Sequence, residues 1–260
     1  MKEFENKVAI VSGTTGIGRA IALRLESGGA NVIACGIDAA ANRELQQISD
    51  ANHATVRVEL CDVSVPEQVQ AAVAKAVAKF GGLDFIANAA AFHPFGNAVE
   101  TDPETWNRCM AVNLSSSYLF AHFGIPEMRK RGGGSIIILA SVQGYACQRG
   151  VAAYATSKGG LHSLTRSLAL DHAADHIRVN SISPGSIRTP MLEHSAAHFS
   201  PDLPVDAVVE RFGASHPLGR VGTAEEVAEL AAFLMSDRAA FCTGGDYLVD
   251  GGLLAGIGVQ

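Results

Sequence analysis

Apolar and polar positions follow two periods in this chain, and the periods alternate. Lys7–Val11 is a short β-branched run that stops at Ser12-Gly13-Thr14-Thr15-Gly16-Ile17-Gly18, after which Arg19–Leu25 spaces its apolar residues as a helix does. Asn31–Cys35 predicts a second strand, followed by a polar helix near Ala39–Ile48. Thr55–Leu60 alternates as a third strand, and Ser64 with Glu67 has capping-box spacing ahead of a helix over Pro66–Phe80. Leu83–Ala87 predicts a fourth strand. Thr101 and Glu104, with Pro103 between them, open a long helix that runs toward Arg131. Ser135–Leu139 is apolar at four successive positions, as expected of a strand in a sheet covered on both faces. A helix over Ala152–Ala174 follows, then a sixth strand at Ile177–Ile182. A helix at Thr223–Ser236 has its own Thr223/Glu226 box, and Tyr247–Val249 is a short last strand before Gly251-Gly252.

This β-α alternation predicts an α/β fold: a doubly wound (Rossmann), mostly parallel sheet with helices on both faces. No Pro/Gly/Ser linker, composition break or internal repeat interrupts it, so residues 1–260 read as a single domain. The stretch of weakest pattern, Gly185–Gly222, holds four prolines and reads as a partly helical excursion, a substrate lid over about 186–222.

Composition narrows the function classes. At 48% apolar residues the chain is not of disordered type, and its 27 glycines lack a collagen period. A net charge of −6 without a long basic run argues against nucleic acid as a partner. The five cysteines are scattered and never form C-x-x-C, which fits a reducing compartment better than a disulfide framework or a zinc site. The N-terminus has two Glu in its first five residues and lacks the basic-then-apolar layout of a signal peptide. No apolar run approaches the ~18 residues of a membrane span. A soluble, cytoplasmic protein without membrane contacts is expected.

The glycine cluster lies where a first strand meets a first helix. Glycines there allow the backbone to approach a pyrophosphate, and the helix N-terminus offers free N–H groups. A tight turn without a ligand is the plainer reading of such a cluster, and its place in the first βα unit favours the dinucleotide. The second strand ends in Cys35-Gly36-Ile37-Asp38. A carboxylate there suits a free ribose 2′-hydroxyl and repels a 2′-phosphate, so NAD is favoured over NADP, although Arg19 and Arg43 are near in sequence. Asp38 fits a helix N-cap equally well.

Tyr154 and Lys158 are four apart on a predicted helix and share a face. A tyrosine near ~10 is a poor base at neutral pH, and an adjacent ammonium is expected to lower that value. Y-x-x-x-K is also a common surface pattern. Ser141 changes the reading, because it follows the apolar fifth strand at the carboxyl edge where open α/β sheets bind ligands.

With these residues the chain resembles the short-chain dehydrogenase/reductase family over essentially its whole length. Ser141, Tyr154 and Lys158 match that family's Ser…Tyr-x-x-x-Lys spacing, and Asn113 matches its helix asparagine. Asp62-Val63, Arg178-Val179-Asn180, Pro184-Gly185 with Thr189, and Val249-Asp250-Gly251-Gly252 match as well. The resemblance implies a seven-stranded sheet in the order 3-2-1-4-5-6-7, usually assembled as a homotetramer. It implies Tyr154 as general acid/base, Lys158 depressing its pKa and holding the nicotinamide ribose, Ser141 bonding the substrate oxygen, and Asn113 holding a water in a proton relay. Gly13, Thr15, Gly16, Ile17 and Gly18 would meet the pyrophosphate, Asp38 and Asn88 the adenosine ribose, Asp62 and Val63 the adenine. Pro184, Gly185, Ile187 and Thr189 would lie along the nicotinamide. Three positions depart from the family pattern. Only Thr14 and Thr15 separate the first two glycines, Asn88-Ala89-Ala90-Ala91 stands for Asn-Asn-Ala-Gly, and Gly36 stands where an acidic residue usually ends the second strand.

The pairs His172/His176 and His194/His198 have i,i+4 spacing but no H-E-x-x-H context, so no metal is expected. The apolar Leu253–Ile257 suggests burial at a subunit contact. The segments after strands four, five and six carry His93, then Gln143, Tyr145, Gln148 and Arg149, then Glu193, His194 and His198. Those groups would be left unpaired around a greasy ligand, so a small polyhydroxylated, sugar-like alcohol is the favoured substrate, contacting His93, Ser141, Gln143, Gln148 and Tyr154. A 3-oxoacyl thioester reductase is the alternative activity. A dinucleotide-sensing or scaffold protein is the non-enzymatic alternative, disfavoured by the presence of all four catalytic residue types.

Overall fold

Strands rich in β-branched and small apolar residues, the central ones buried on both faces, align in one parallel sheet in the computed structural model, which describes residues 2–51 and 55–256. They are β1 Val8–Ser12, β2 Asn31–Gly36, β3 Val56–Leu60, β4 Phe85–Asn88, β5 Gly134–Leu139, β6 Ile177–Pro184 and β7 Asp246–Val249. The order is β3-β2-β1-β4-β5-β6-β7. The helices are α1 Gly16–Ser27, α2 Ala39–Ala51, α3 Pro66–Phe80, α4 Pro103–Met110, α5 Ser116–Lys130, α6 Ala152–His172, α7 Pro190–Phe199, α8 Val205–Ala214 and α9 Ala224–Met235.

β1 shows how the layers form. Ala9 and Val11 face one core with Ile21 and Leu25 of α1, Leu45 of α2 and Val227 of α9. Val8 and Ile10 face the other, with Val73 of α3, Phe120 of α5 and Leu161 of α6. Each such side chain contributes about 1.5–3 kcal/mol by leaving water. Because β4 returns to pair with β1, the connections leaving these two neighbours diverge to opposite faces, and a crevice opens at their carboxyl ends.

The predicted elements are present with end shifts of a few residues. Thr223 and Glu226 form the expected reciprocal box. Two other capping expectations differ. Val65 is the N-cap residue of α3, and the Ser64 hydroxyl donates to Asp62 instead, so no Ser64/Glu67 box forms. Asp102, not Thr101, caps α4 by accepting from the Thr105 amide. The long helix toward Arg131 is interrupted by a π turn at Ala111–Ser115, which joins α4 to α5. The 186–222 excursion contains α7 and α8, packed together through Ala196, Val208 and Val209. Leu253 and Leu254 line the cleft described below, while Ile257 lies outside the described residues. Among those residues, no helix is long and apolar enough to cross a membrane.

Candidate active site

The carboxyl ends of β1, β2, β4, β5 and β6 surround a cleft of about 1010 Å³. At its β1–β3 end the wall is mostly backbone. Gly13 and Gly16 have positive φ (96° and 48°), and a Cβ at Gly18 would stand 2.3 Å from the Gly13 carbonyl oxygen, so the loop can pack only with glycine there. Thr15 is the N-cap residue of α1 but makes no side-chain cap, and the first turn carries no acid, leaving N–H groups free at the cleft. The shortened loop has a consequence invisible in sequence. Thr14 turns inward and its hydroxyl donates to Asn42 Oδ1 at 2.7 Å, while Asn42 Nδ2 donates to the Gly36 carbonyl. A Cβ on Gly36 would meet Thr14 Oγ1 at 2.2 Å. The family's acidic position at this strand end is therefore closed to any side chain.

Asp38 lies at the cleft, where its Oδ1 accepts from the amides of Ala40 and Ala41. Those two bonds hold its carboxyl below the usual carboxylate range. Asp62 and Val63 also line this end. Arg19 does not; its guanidinium is paired with Glu44 through two bonds of 2.8 Å. Asn88 is buried at the end of β4 beneath the cleft, and neither its amide nitrogen nor its amide oxygen has a partner.

The other end is built from side chains. Ser141 follows β5 and its hydroxyl accepts from the Gln143 amide. Tyr154 and Lys158 point from one face of α6 into the cleft. The Lys158 ammonium donates to the Leu139 carbonyl at 2.6 Å and stands 5.4 Å from the centre of the Tyr154 ring. The expectation that Lys158 lowers the tyrosine pKa does not hold for these groups alone. Burial pushes Tyr154 up to about 12, with the Ser141 hydroxyl acting in the opposite direction. Burial also pushes Lys158 down to about 8. Desolvation outweighs attraction because the ammonium is aimed at a main-chain carbonyl.

Asn113 is held by the protein itself. It occupies the π turn, but its side chain does not line the cleft. Its Oδ1 accepts from the Phe92 amide at 2.7 Å, and its Nδ2 donates to the Phe92 carbonyl and to Ser157 Oγ, each at 2.9 Å. This side chain clamps the β4–α4 loop to α6.

The clamp places His93 and Phe95. Gly96 pairs with Val151 as a short parallel bridge, tying the same loop to the start of α6. The His93 ring then lies 4.1 Å from that of Tyr154, and Phe95 stacks on His198 of α7 at 3.7 Å with the rings nearly parallel. The α7 histidines thus tie α7 to the β4–α4 loop through an aromatic contact.

Of the polar groups expected at the substrate end, His93, Ser141, Gln143, Gln148 and Tyr154 line the cleft. Tyr145, Arg149, Glu193, His194 and His198 do not. The Tyr145 hydroxyl donates to Asp246, and Glu193 accepts from Arg188. Pro184, Gly185, Ile187 and Thr189 also line the cleft. Sequence reasoning missed the apolar share contributed by Met191, Leu192, Phe212 and Leu254.

Comparison with known proteins decides the family. A family model described as enoyl-(acyl carrier protein) reductase matches residues 11–254. The chain is 35% identical over 251 residues to cyclohexanol dehydrogenase of Acinetobacter sp. (strain SE19), covering 96% of this chain and 95% of that one.

The chain belongs to the short-chain dehydrogenase/reductase family.

Further members at this level include bovine L-fucose dehydrogenase, 37% identical over 98% of this chain and 92% of its own. Among solved structures, the ligand-free aldohexose dehydrogenase of Thermoplasma acidophilum superposes with a TM-score of 0.90 at 33% identity, covering 100% of this chain and 98% of that one. The chain is thus a short-chain oxidoreductase acting on CH–OH groups, and members of this family use nicotinamide dinucleotides. Its residues fit such a group on their own terms. The glycine-walled loop admits a close phosphate, the uncapped α1 N-terminus faces it, and the orphaned Asn88 amide awaits a polar partner.

Proposed function

We propose that this short-chain dehydrogenase/reductase is NAD-dependent and interconverts a secondary alcohol and a ketone, or a sugar hemiacetal and a lactone, on a small polyhydroxylated, sugar-like substrate. The observation that carries the reading is the composition of the two cleft ends: Asp38 and Asp62 with no lining cation at one, and Ser141, Tyr154, His93 and Gln143 converging at the other. A 2′-phosphate at the first end would meet two carboxylates and no lining lysine or arginine. The polar groups lining the second, His93, Ser141, Gln143 and Gln148, suit a ligand with hydroxyl groups. The named activities of the cyclohexanol, L-fucose and aldohexose dehydrogenases support a small ring alcohol.

Bound dinucleotide supplies the hydride acceptor for oxidation and the donor for reduction. Gly13, Thr15, Gly16, Ile17 and Gly18 would hold its pyrophosphate, Asp38 and Asn88 the adenosine ribose, Asp62 and Val63 the adenine, and Pro184, Gly185, Ile187 and Thr189 the nicotinamide. Tyr154 takes the hydroxyl proton as the carbinol carbon gives up hydride, and returns it in reduction. Ser141 donates to the same oxygen as charge develops on it. Lys158 turns from the Leu139 carbonyl toward the phenolate and the nicotinamide ribose, offsetting the burial that holds Tyr154 near 12. Asn113 positions the wall that carries His93. The 186–222 excursion acts as the lid. Five free thiols and the charge pattern suit a cytoplasmic enzyme, and the family suggests a homotetramer.

The test is a coenzyme-reduction screen with NAD and NADP across sugars, polyols, cyclic secondary alcohols and hydroxyacyl thioesters. Turnover of ring alcohols with NAD is expected. Turnover confined to thioesters overturns the substrate reading, and no turnover on any alcohol favours the sensor or scaffold alternative. Sedimentation as a ~27 kDa species at micromolar concentration overturns the tetramer.

A further inference from the structure

We propose that His93 selects substrates with a second hydroxyl on the carbon next to the reacting carbinol, so that the enzyme acts on vicinal diols in preference to isolated alcohols. The inference rests on the dehydrogenase reading above and deepens it. His93 follows β4 and lines the cleft beside the residue that handles the proton: its ring centre is 4.1 Å from that of Tyr154. A group in contact with both rings is attached within a bond or two of the atom that Tyr154 serves.

The imidazole is also held in place. Phe95 packs edge-on against it at 5.0 Å and is itself stacked on His198 at 3.7 Å. The loop carrying both rings is fixed by Asn113 through Phe92 and by the Gly96–Val151 bridge. The ring cannot swing out to water without breaking those contacts. Yet its Nδ1 is buried without a hydrogen-bond partner. Burial keeps the imidazole neutral, with its pKa pushed down to about 4, so it presents one donor and one acceptor and no charge. A hydroxyl both donates and accepts, and therefore pairs with the open edge of the imidazole in either tautomer; a methylene pairs with neither. The neighbouring Gln143 is already tied through its Nε2 to Gln148, which leaves His93 as the unengaged polar ring next to Tyr154.

The discriminating experiment compares cyclohexanol with the stereoisomers of 1,2-cyclohexanediol, using NAD and the full-length protein. For the wild type, kcat/KM on the better diol exceeds that on cyclohexanol by roughly ten- to a hundredfold, the factor expected when one buried polar atom gains its partner. His93→Phe keeps an aromatic ring against Tyr154 and Phe95 but removes the polar edge, and the ratio falls to about one. His93→Asn restores a polar atom and recovers part of the ratio. Because the readout is a ratio on the folded, active fraction, loss of protein alone does not imitate the result; dinucleotide titration confirms the fold of each variant. A wild-type ratio near one, or a ratio that survives His93→Phe, overturns the assignment while leaving the dehydrogenase reading intact. A wild type that oxidises neither compound nor any other alcohol overturns both.

Discussion

At the β1–β3 end of the cleft, the wall beside Asp38 and Asp62 is mostly main chain: Gly13, Gly16, Gly18 and Gly36, with Thr14 and Asn42 bonded to each other. At the β5–β6 end, Lys158, Tyr154 and His93 are ionisable groups held in burial that opposes their charged forms. The first end is rigid and satisfied within the protein, apart from Asn88. The second keeps groups in states that cost stability and are useful once a substrate arrives. One end is shaped for fit and the other for chemistry, and they should answer differently to mutation.

The largest effect expected is on turnover. Tyr154→Phe leaves the ring and removes the ionisable oxygen, and kcat should fall about 10²–10⁴-fold while titration still detects dinucleotide binding. Retention of most of the wild-type kcat would place the chemistry elsewhere in the cleft. Gly36→Ala probes the opposite end. Its Cβ falls 2.2 Å from Thr14 Oγ1, so urea unfolding should report a loss of about 1–3 kcal/mol together with weaker dinucleotide binding. An unfolding midpoint equal to wild type would mean the Thr14–Asn42 latch yields freely.

Lys158→Met should do the reverse for stability. A buried ammonium with one carbonyl partner is replaced by an apolar side chain of similar length, and stability at pH 7 without added dinucleotide should rise by about 1–3 kcal/mol as activity is lost. The pH dependence gives the sign. The folded value of Lys158 lies near 8, below its ordinary 10.5, so the unfolded chain binds more protons between those values and wild-type stability climbs with pH across that window. Lys158→Met should lack the climb. Tyr154, raised to about 12, acts in the opposite sense above its ordinary value of 10. The smallest effect belongs to Asp38→Asn, which keeps the α2 cap. It should narrow the NAD:NADP ratio of kcat/KM a few-fold, because the carboxylate is exposed and screened. A wild type that prefers NADP would show that Arg19 or Arg43 reaches the phosphate.

The two ends also differ in how far the sequence discloses them. Ser141, Tyr154 and Lys158 were legible because each sits at a fixed offset from a strand end or along one helix, and local periodicity places it. The sheet was legible for the same reason, since β1 and β5 carry apolar runs that cannot be solvent-facing. Three features were not. The Gly36 closure depends on Thr14 meeting Asn42, 28 residues on. The inward clamp of Asn113 depends on Phe92 and Ser157, from two other segments. His93 is held against Tyr154 by a loop that Gly96 bridges to Val151. Each is a contact between segments whose local patterns are silent about one another. The Lys158 bond was hidden for a related reason: spacing reveals that a lysine is adjacent to Tyr154, but not which acceptor its ammonium is bonded to.

The strand order has a consequence for how the chain is made. β1 is buried on both faces and pairs with β2 on one edge, but its other edge waits for β4. Ser12 meets its partner Ala89 across 77 residues. At ~5–20 residues per second, a ribosome leaves that apolar edge unpaired for roughly 4–15 seconds. Through that interval the nascent β1–β3 segment presents an open strand edge to its surroundings. A holding chaperone, or a pause in translation placed after Asn88, would thus have its greatest influence on this protein before any catalytic residue has been synthesised.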